Sequence, residues 1–170
     1  VKSWINGIPN ISRLKELKIE DLLSRGLIKI DNKLNNRHYN GKSILVSGAA
    51  GSIGSEVVRQ IIKFKPSQII LIDNAETPMF NIKQELEQDM LSSNIEAFYY
   101  IDSVTDKLAL NKIFSTHKIN IVFHAAAYKH VPILQNQARI AVANNVLGTE
   151  SIARISSEHG VGNFVLISYM

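Results

Sequence analysis

The run Gly48-Ala49-Ala50-Gly51-Ser52-Ile53-Gly54 joins the apolar stretch Ser43 to Ser47 to a segment with Ile53, Val57, Val58, Ile61 and Ile62 on one helical face. Each glycine has its own task in such a strand–turn–helix unit. Gly48 permits a tight turn, Gly51 leaves no Cβ where a ligand approaches the backbone, and Gly54 lets helix and strand pack closely. The N–H groups of Ser52 and Ile53 open the helix and favour an anion, with the helix dipole adding to the attraction. Asp73 follows about 20 residues later, at the end of the next apolar run, where a carboxylate can meet ribose hydroxyls. A glycine-rich turn can exist without a ligand. The strand before, the helix after and the acid downstream together point to a dinucleotide site.

The alternation continues along the chain. Gln68 to Ile72, Glu96 to Ile101, Asn120 to His124 and Asn163 to Ser168 read as short strands. Met79, Ile82, Leu86 and Met90 mark a helix with Pro78 in its first turn. Leu108, Ile113 and Phe114 mark another, with Asp106 as its N-cap. A longer helix is expected from about Ile133 to His159. Short apolar strands separated by amphipathic helices imply parallel strands buried on both faces. The expected fold is α/β, a doubly wound parallel sheet of Rossmann type, truncated after about the fifth strand.

Residues 1–40 differ from the rest. Leu14, Leu17, Leu22 and Leu23 form a helical stripe that Gly26 can end, and Asn32, Asn35, Asn36 and Asn40 mark a polar connector. This reads as a lead-in helix and linker before a dinucleotide-binding domain of residues 41–170.

Composition narrows the chemistry. The chain has 170 residues and no cysteine, which excludes disulfides, thiolate catalysis and Cys-type metal sites. Its five histidines have no metal-ligand spacing, so no metal is expected. The net charge of +4 comes from scattered Lys and Arg without interleaved aromatics, which argues against nucleic acid. No apolar run is long enough to cross a bilayer, and no signal peptide opens the chain.

In a doubly wound fold the ligand lies beyond the carboxyl ends of the strands. Asp73, with no cation beside it at Asn74 or Ala75, favours NAD over NADP; it can also cap the next helix. Asp102 and Val104 follow the third strand. That carboxylate can meet an adenine amino group or simply cap a turn, and residue type does not separate the two. After the fourth strand, Ala125, Ala126 and Ala127 are small enough for a cofactor to lie against the backbone. Tyr128, Lys129 and His130 then carry polar groups into the same region, and Lys129 can pair with a phosphate or a developing oxyanion. Lys129 and His130 are the candidate substrate contacts. His124 reads as a histidine satisfied near the strand end. Asn145 can hold a backbone carbonyl or a water beside the site and is the candidate for a catalytic position, although periodicity fits an ordinary exposed asparagine equally well; Gly148 implies a packing constraint in the long helix.

The stretches GKSILVSGAAGSIGSEVVRQI (Gly41 to Ile61), LIDNAE (Leu71 to Glu76), IVFHAAAYKHVP (Ile121 to Pro132), NNVLGT (Asn144 to Thr149) and FVLIS (Phe164 to Ser168) resemble the extended short-chain dehydrogenase/reductase family. More narrowly they resemble the nucleotide-sugar 4,6-dehydratases of bacterial polysaccharide and glycan biosynthesis, with AAAYKHVP the most specific stretch. IEDLL (Ile19 to Leu23) resembles the linker of the long, membrane-anchored members. The resemblance implies a UDP-N-acetylglucosamine 4,6-dehydratase with tightly held NAD. It also implies self-association through the long helix and a domain facing the cytoplasm, anchored to the inner membrane in the full-length protein. A nucleotide-sugar epimerase or a non-catalytic dinucleotide module would share the same cofactor site. Members of the family continue after the fifth strand with Thr-Asp-Lys, whereas Ser168 is followed here by Tyr169 and Met170. No acid or base role is transferred to either, and the chain as given is expected to be an inactive, cofactor-binding portion.

Overall fold

The computed structural model describes residues 32–168; the stripe expected at Leu14 to Leu23 and the residues Tyr169 and Met170 lie outside the described residues. The apolar runs become the strands β1 (Ser43–Ser47), β2 (Gln68–Asp73), β3 (Glu96–Ile101), β4 (Ile121–His124) and β5 (Asn163–Leu166). They form a 5-stranded sheet in the order β3-β2-β1-β4-β5, and every neighbouring pair is parallel. The helices are α1 (Asn32–Tyr39), α2 (Ser52–Ile62), α3 (Glu76–Ser92), α4 (Lys107–Thr116), α5 (Val131–Leu134), α6 (Ala138–Val142) and α7 (Thr149–Glu158), with a π-helical segment at Ala143–Gly148.

Successive strand residues point to opposite faces, so a strand covered on both sides must be apolar throughout. On one face Ile44, Val46, Ile69 and Leu71 pack with Val58 and Ile61 of α2 and with Met79, Ile82, Leu86 and Met90 of α3. On the other face Leu45, Ile70, Ile72 and Val122 pack with Leu110, Ile113 and Phe114 of α4 and with Ile152 and Ile155 of α7. Each such side chain contributes about 1.5–3 kcal/mol by leaving water. Asp106 caps α4 as its sequence position suggests, accepting from the N–H groups of Leu108 and Ala109 at 3.0 Å each.

Two sequence expectations are corrected. The asparagine-rich stretch from Asn32 is helix α1 rather than a polar connector. Its last residue, Tyr39, sets its ring 5.5 Å from that of Phe64 and 6.0 Å from that of Phe123, and this tertiary anchor overrides the weak local propensity. The long helix expected from about Ile133 to His159 is interrupted. Gln137 departs from helical geometry between α5 and α6, and the chain then widens into the π segment before α7. Gly148 lies at the end of that segment, where a Cβ would come within 2.9 Å of Val104 Cγ2, so the packing constraint read from its sequence is a contact with the loop after β3. Among the described residues no helix is long and apolar enough to cross a membrane.

Candidate functional site

The carboxyl ends of β1 to β4 open onto one cleft. From β1 the chain builds outward to β3, then returns across the sheet to β4, so the connections diverge between β1 and β4. The cleft is lined by Gly48 and Gly51 after β1, by Ile72, Asp73 and Asn74 at the end of β2, and by Asp102, Ser103 and Val104 after β3. Ala125 to Tyr128 after β4 and Asn144 of the π segment complete it. Gly48, Gly51, Asp73, Asp102, Val104, Ala125, Ala126 and Ala127, all singled out in the sequence, thus meet in one place.

The glycine loop is shaped by backbone contacts. Gly48 has φ +69°, and a Cβ on it would lie 2.6 Å from the carbonyl carbon and oxygen of Ala125. Both turn and close approach therefore demand glycine there. A Cβ on Gly54 would strike the Gly48 carbonyl oxygen and lie 3.0 Å from Ala49 Cα. The tight packing expected at Gly54 is thus against the loop itself more than against the strand. Gly51 differs from both. It is the N-cap of α2, with φ −72° and ψ 165°, and a Cβ would meet only Gly48 O, at 3.3 Å. Ser52 and Ile53 follow as the first residues of α2, with N–H groups free of intrahelical acceptors by their position in the first turn.

Asp73 is tied to this loop. Its Oδ2 accepts from the Ala50 N–H at 3.0 Å, and its Oδ1 accepts from the Ala75 N–H at 3.0 Å. Ala75, not Asp73, is the N-cap residue of α3. Each carboxylate oxygen keeps a lone pair for a further donor such as a hydroxyl.

Beyond β4 the structure separates the polar residues. Tyr128 lines the cleft, and its hydroxyl accepts from Asn74 Nδ2 at 3.5 Å. Lys129 Nζ donates to Ser52 Oγ at 2.6 Å, so its ammonium lies at the start of α2. Neither Lys129 nor His130 is among the residues that line the cleft; the His130 carbonyl accepts from the N–H groups of Ile133 and Leu134 at the start of the next helix. Asn145 grips the backbone of Tyr128, accepting from its N–H at 2.8 Å and donating to its carbonyl at 2.9 Å.

His124 is buried beneath the cleft with both ring nitrogens partnered. Ser47 Oγ lies 2.7 Å from Nδ1, and Thr149 Oγ1 lies 2.9 Å from Nε2. Burial lowers its pKa to about 4, so the imidazole is neutral near pH 7. It therefore works as a neutral tie between β1, β4 and α7. Among the described residues there is no cluster of His, Asp and Glu able to hold a metal ion.

Sequence reasoning missed Asn74, Ser103 and Asn144 in the cleft lining, and Ser47 and Thr149 beneath it. The one available signal was position, since Asn74 and Ser103 directly follow candidate acids and Asn144 directly precedes Asn145.

A parallel β3-β2-β1-β4-β5 sheet with a glycine turn after β1 and an acid ending β2, both facing one cleft, defines a doubly wound domain of Rossmann type. Within it, residues 44–169 match the polysaccharide biosynthesis protein family, and the chain belongs to that family. The capsular polysaccharide biosynthesis protein CapD of Staphylococcus aureus is 38% identical over 168 residues, covering 99% of this chain and 28% of that protein. A UDP-N-acetylglucosamine 4,6-dehydratase (inverting) of Campylobacter jejuni is 28% identical over 131 residues, covering 76% of this chain and 37% of that protein. Among solved structures, the UDP-glucose 4-epimerase of Thermotoga maritima with UDP-glucose superimposes with a TM-score of 0.62 at 29% identity, covering 73% of this chain and 37% of that one. The Bordetella bronchiseptica enzyme WbmG in complex with NAD gives a TM-score of 0.60 at 25% identity, covering 75% and 37%. The chain spans between 28% and 37% of the length of these proteins.

Proposed function

We propose that this chain is the NAD-binding portion of a UDP-N-acetylglucosamine 4,6-dehydratase, making a 4-keto-6-deoxy sugar nucleotide for polysaccharide or glycan biosynthesis. The observation that supports the cofactor part of this reading is the Asp73 carboxylate bonded to the Ala50 N–H of the glycine loop, an arrangement in which ribose and diphosphate contacts would lie side by side. In this reading the α2 terminus at Ser52 and Ile53 receives the diphosphate, Asp73 accepts the ribose hydroxyls, and Asp102 and Val104 border the adenine. Ala125 to Ala127 let the cofactor lie against the backbone after β4. Bound there, NAD would accept hydride from the sugar's fourth carbon and return it to the sixth, so that water leaves without net oxidation. The same reading places the domain on the cytoplasmic side of a membrane-anchored, self-associating full-length protein. The 28% identity with the C. jejuni dehydratase and the family match support it.

The test is to incubate the full-length protein with UDP-N-acetylglucosamine, weigh the products, and compare their proton NMR spectra with that of the substrate, which separates an epimer from unreacted sugar of the same mass. Loss of one water with no net NADH supports dehydration. An isomer of unchanged mass replaces this reading with a 4-epimerase, for which the likeness to the T. maritima enzyme speaks. An unaltered substrate replaces it with a non-catalytic dinucleotide module.

Cofactor choice gives a further expectation. A 2′-phosphate beside the Asp73 carboxylate is repelled, so NAD should bind at least about tenfold more tightly than NADP. Asp73→Asn removes the charge and can keep only one of the two backbone bonds as acceptor. NAD affinity should fall and the ratio of the two affinities should approach unity. Competitive titration of both cofactors measures this, and tighter NADP binding by the unaltered protein refutes it.

A further inference from the structure

A side-chain contact joins two loops that the sheet holds apart. β2 and β4 each pair with β1 and not with one another. Ile72 and His124 stand level on either side of Ser47, so about 10 Å separates the ends of the two strands. The Gly48 turn fills this gap at the level of the sheet, its N–H donating to Ile72 O at 2.8 Å and its Cα packed on the Ala125 backbone. Further from the sheet, Asn74 of the loop after β2 reaches across to Tyr128 of the loop after β4. Asn74 Nδ2 donates to the Tyr128 hydroxyl at 3.5 Å, and both residues line the cleft.

Both ends of this bridge start from held backbone. Asp73, just before Asn74, is bonded to the N–H groups of Ala50 and Ala75. The N–H and carbonyl of Tyr128 are both bonded to Asn145. The two side chains are exposed, Tyr128 to 40%. What can move is therefore a pair of side chains rather than a pair of loops. Exposed side chains change rotamer quickly, and a neutral bond of this length is a weak restraint, so the bridge opens and closes readily.

We infer that Asn74 and Tyr128 form a strap across the mouth of the cleft, which a dinucleotide must part to reach the glycine turn and which closes again over it. This rests on the dinucleotide reading above. The strap slows entry and exit alike, because the cleft is open for only part of the time in either state. Such a device suits a reaction that returns its hydride within one turnover, since the cofactor then has no need to exchange.

Rates separate a strap from a direct contact with the cofactor. A strap equally strong with and without cofactor changes both rate constants by one factor and leaves Kd alone, whereas a lost contact raises the exit rate and Kd together. The experiment mixes the full-length protein, freed of bound cofactor, with NADH in a stopped-flow fluorimeter and follows exit by displacement with excess NAD. Tyr128→Phe keeps the ring and removes only the hydroxyl; Asn74→Ala removes the other partner. Each should raise both rate constants about threefold, the effect of one weak neutral hydrogen bond, with Kd within about a factor of two. The double variant should be no faster than the faster single one, because either change removes the whole strap. Faster exit with Kd rising in step makes these side chains contacts of the cofactor and overturns the inference. So do rates equal to those of the unaltered protein, or gains that multiply in the double variant. In each of these outcomes NADH binding itself stands. An unaltered protein that binds no NADH removes the dinucleotide reading and the strap with it.

Discussion

Gly51→Val should abolish dinucleotide binding and leave the fold standing. The backbone at Gly51 has φ −72° and ψ 165°, a region valine adopts readily, and an added Cβ would meet only Gly48 O at 3.3 Å. The cost to stability is that of a poor N-cap, about 1 kcal/mol. The branched methyls would instead occupy the approach to α2, where a diphosphate must come close to the backbone. Gly54→Ala should do the reverse damage first. Its Cβ would drive into the Gly48 carbonyl, a backbone group with no room to yield. Destabilisation of about 3 kcal/mol, or roughly 10 °C in Tm, is expected. Calorimetric titration with NAD and thermal melts of both variants decide the matter. Unchanged NAD affinity in Gly51→Val would mean the diphosphate does not lie where we place it.

Acid should destabilise the protein in a window set by His124. The unfolded imidazole has the ordinary value of 6.5, whereas burial lowers the folded value to about 4. Between those values the unfolded chain takes up a proton that the folded chain refuses. Stability is therefore complete above pH 6.5 and falls as the pH drops towards 4, by about 3 kcal/mol in all. His117, buried beside Phe98 and bonded to the Tyr100 hydroxyl at 2.7 Å, is also shifted down by burial and acts in the same sense. Glu85, held below 4.5 chiefly by its hydrogen bond from Arg59, adds its own loss only at lower pH. Denaturant titrations at several pH values across the window measure the slope. His124→Gln should lower stability near neutrality yet flatten the dependence. The same slope in that variant would assign the proton uptake elsewhere.

The central strands β1, β2 and β4 were legible because both their faces are covered, which forces continuous apolar runs such as Ile69 to Ile72. The glycine loop was legible because each constraint removes a Cβ, although one of those on Gly48 comes from the Ala125 backbone at the end of the neighbouring strand. What the sequence hid depends on contacts between distant segments. Tyr39 makes α1 a helix through rings at Phe64 and Phe123, and no window around Asn32 to Asn40 contains them. Ser47 looks like the end of a strand until His124 arrives from across the sheet. The π segment is invisible to a 3.6-residue period, and so are the bonds that Asn144 and Asn145 within it make to the loop after β4.

The contacts among Gly48, Gly54 and Ala125 have a consequence for how such a site can evolve. Three chain segments touch there backbone to backbone, with no side chain between them. A floor built this way has no rotamers to adjust, so gradual substitution cannot widen or reshape it. New ligand preferences must arise at the rim, where Asn74, Tyr128 and Lys129 present side chains that can change without disturbing the floor. Diversification of specificity among descendants of this fold is thereby confined to the loops that overhang an inherited base.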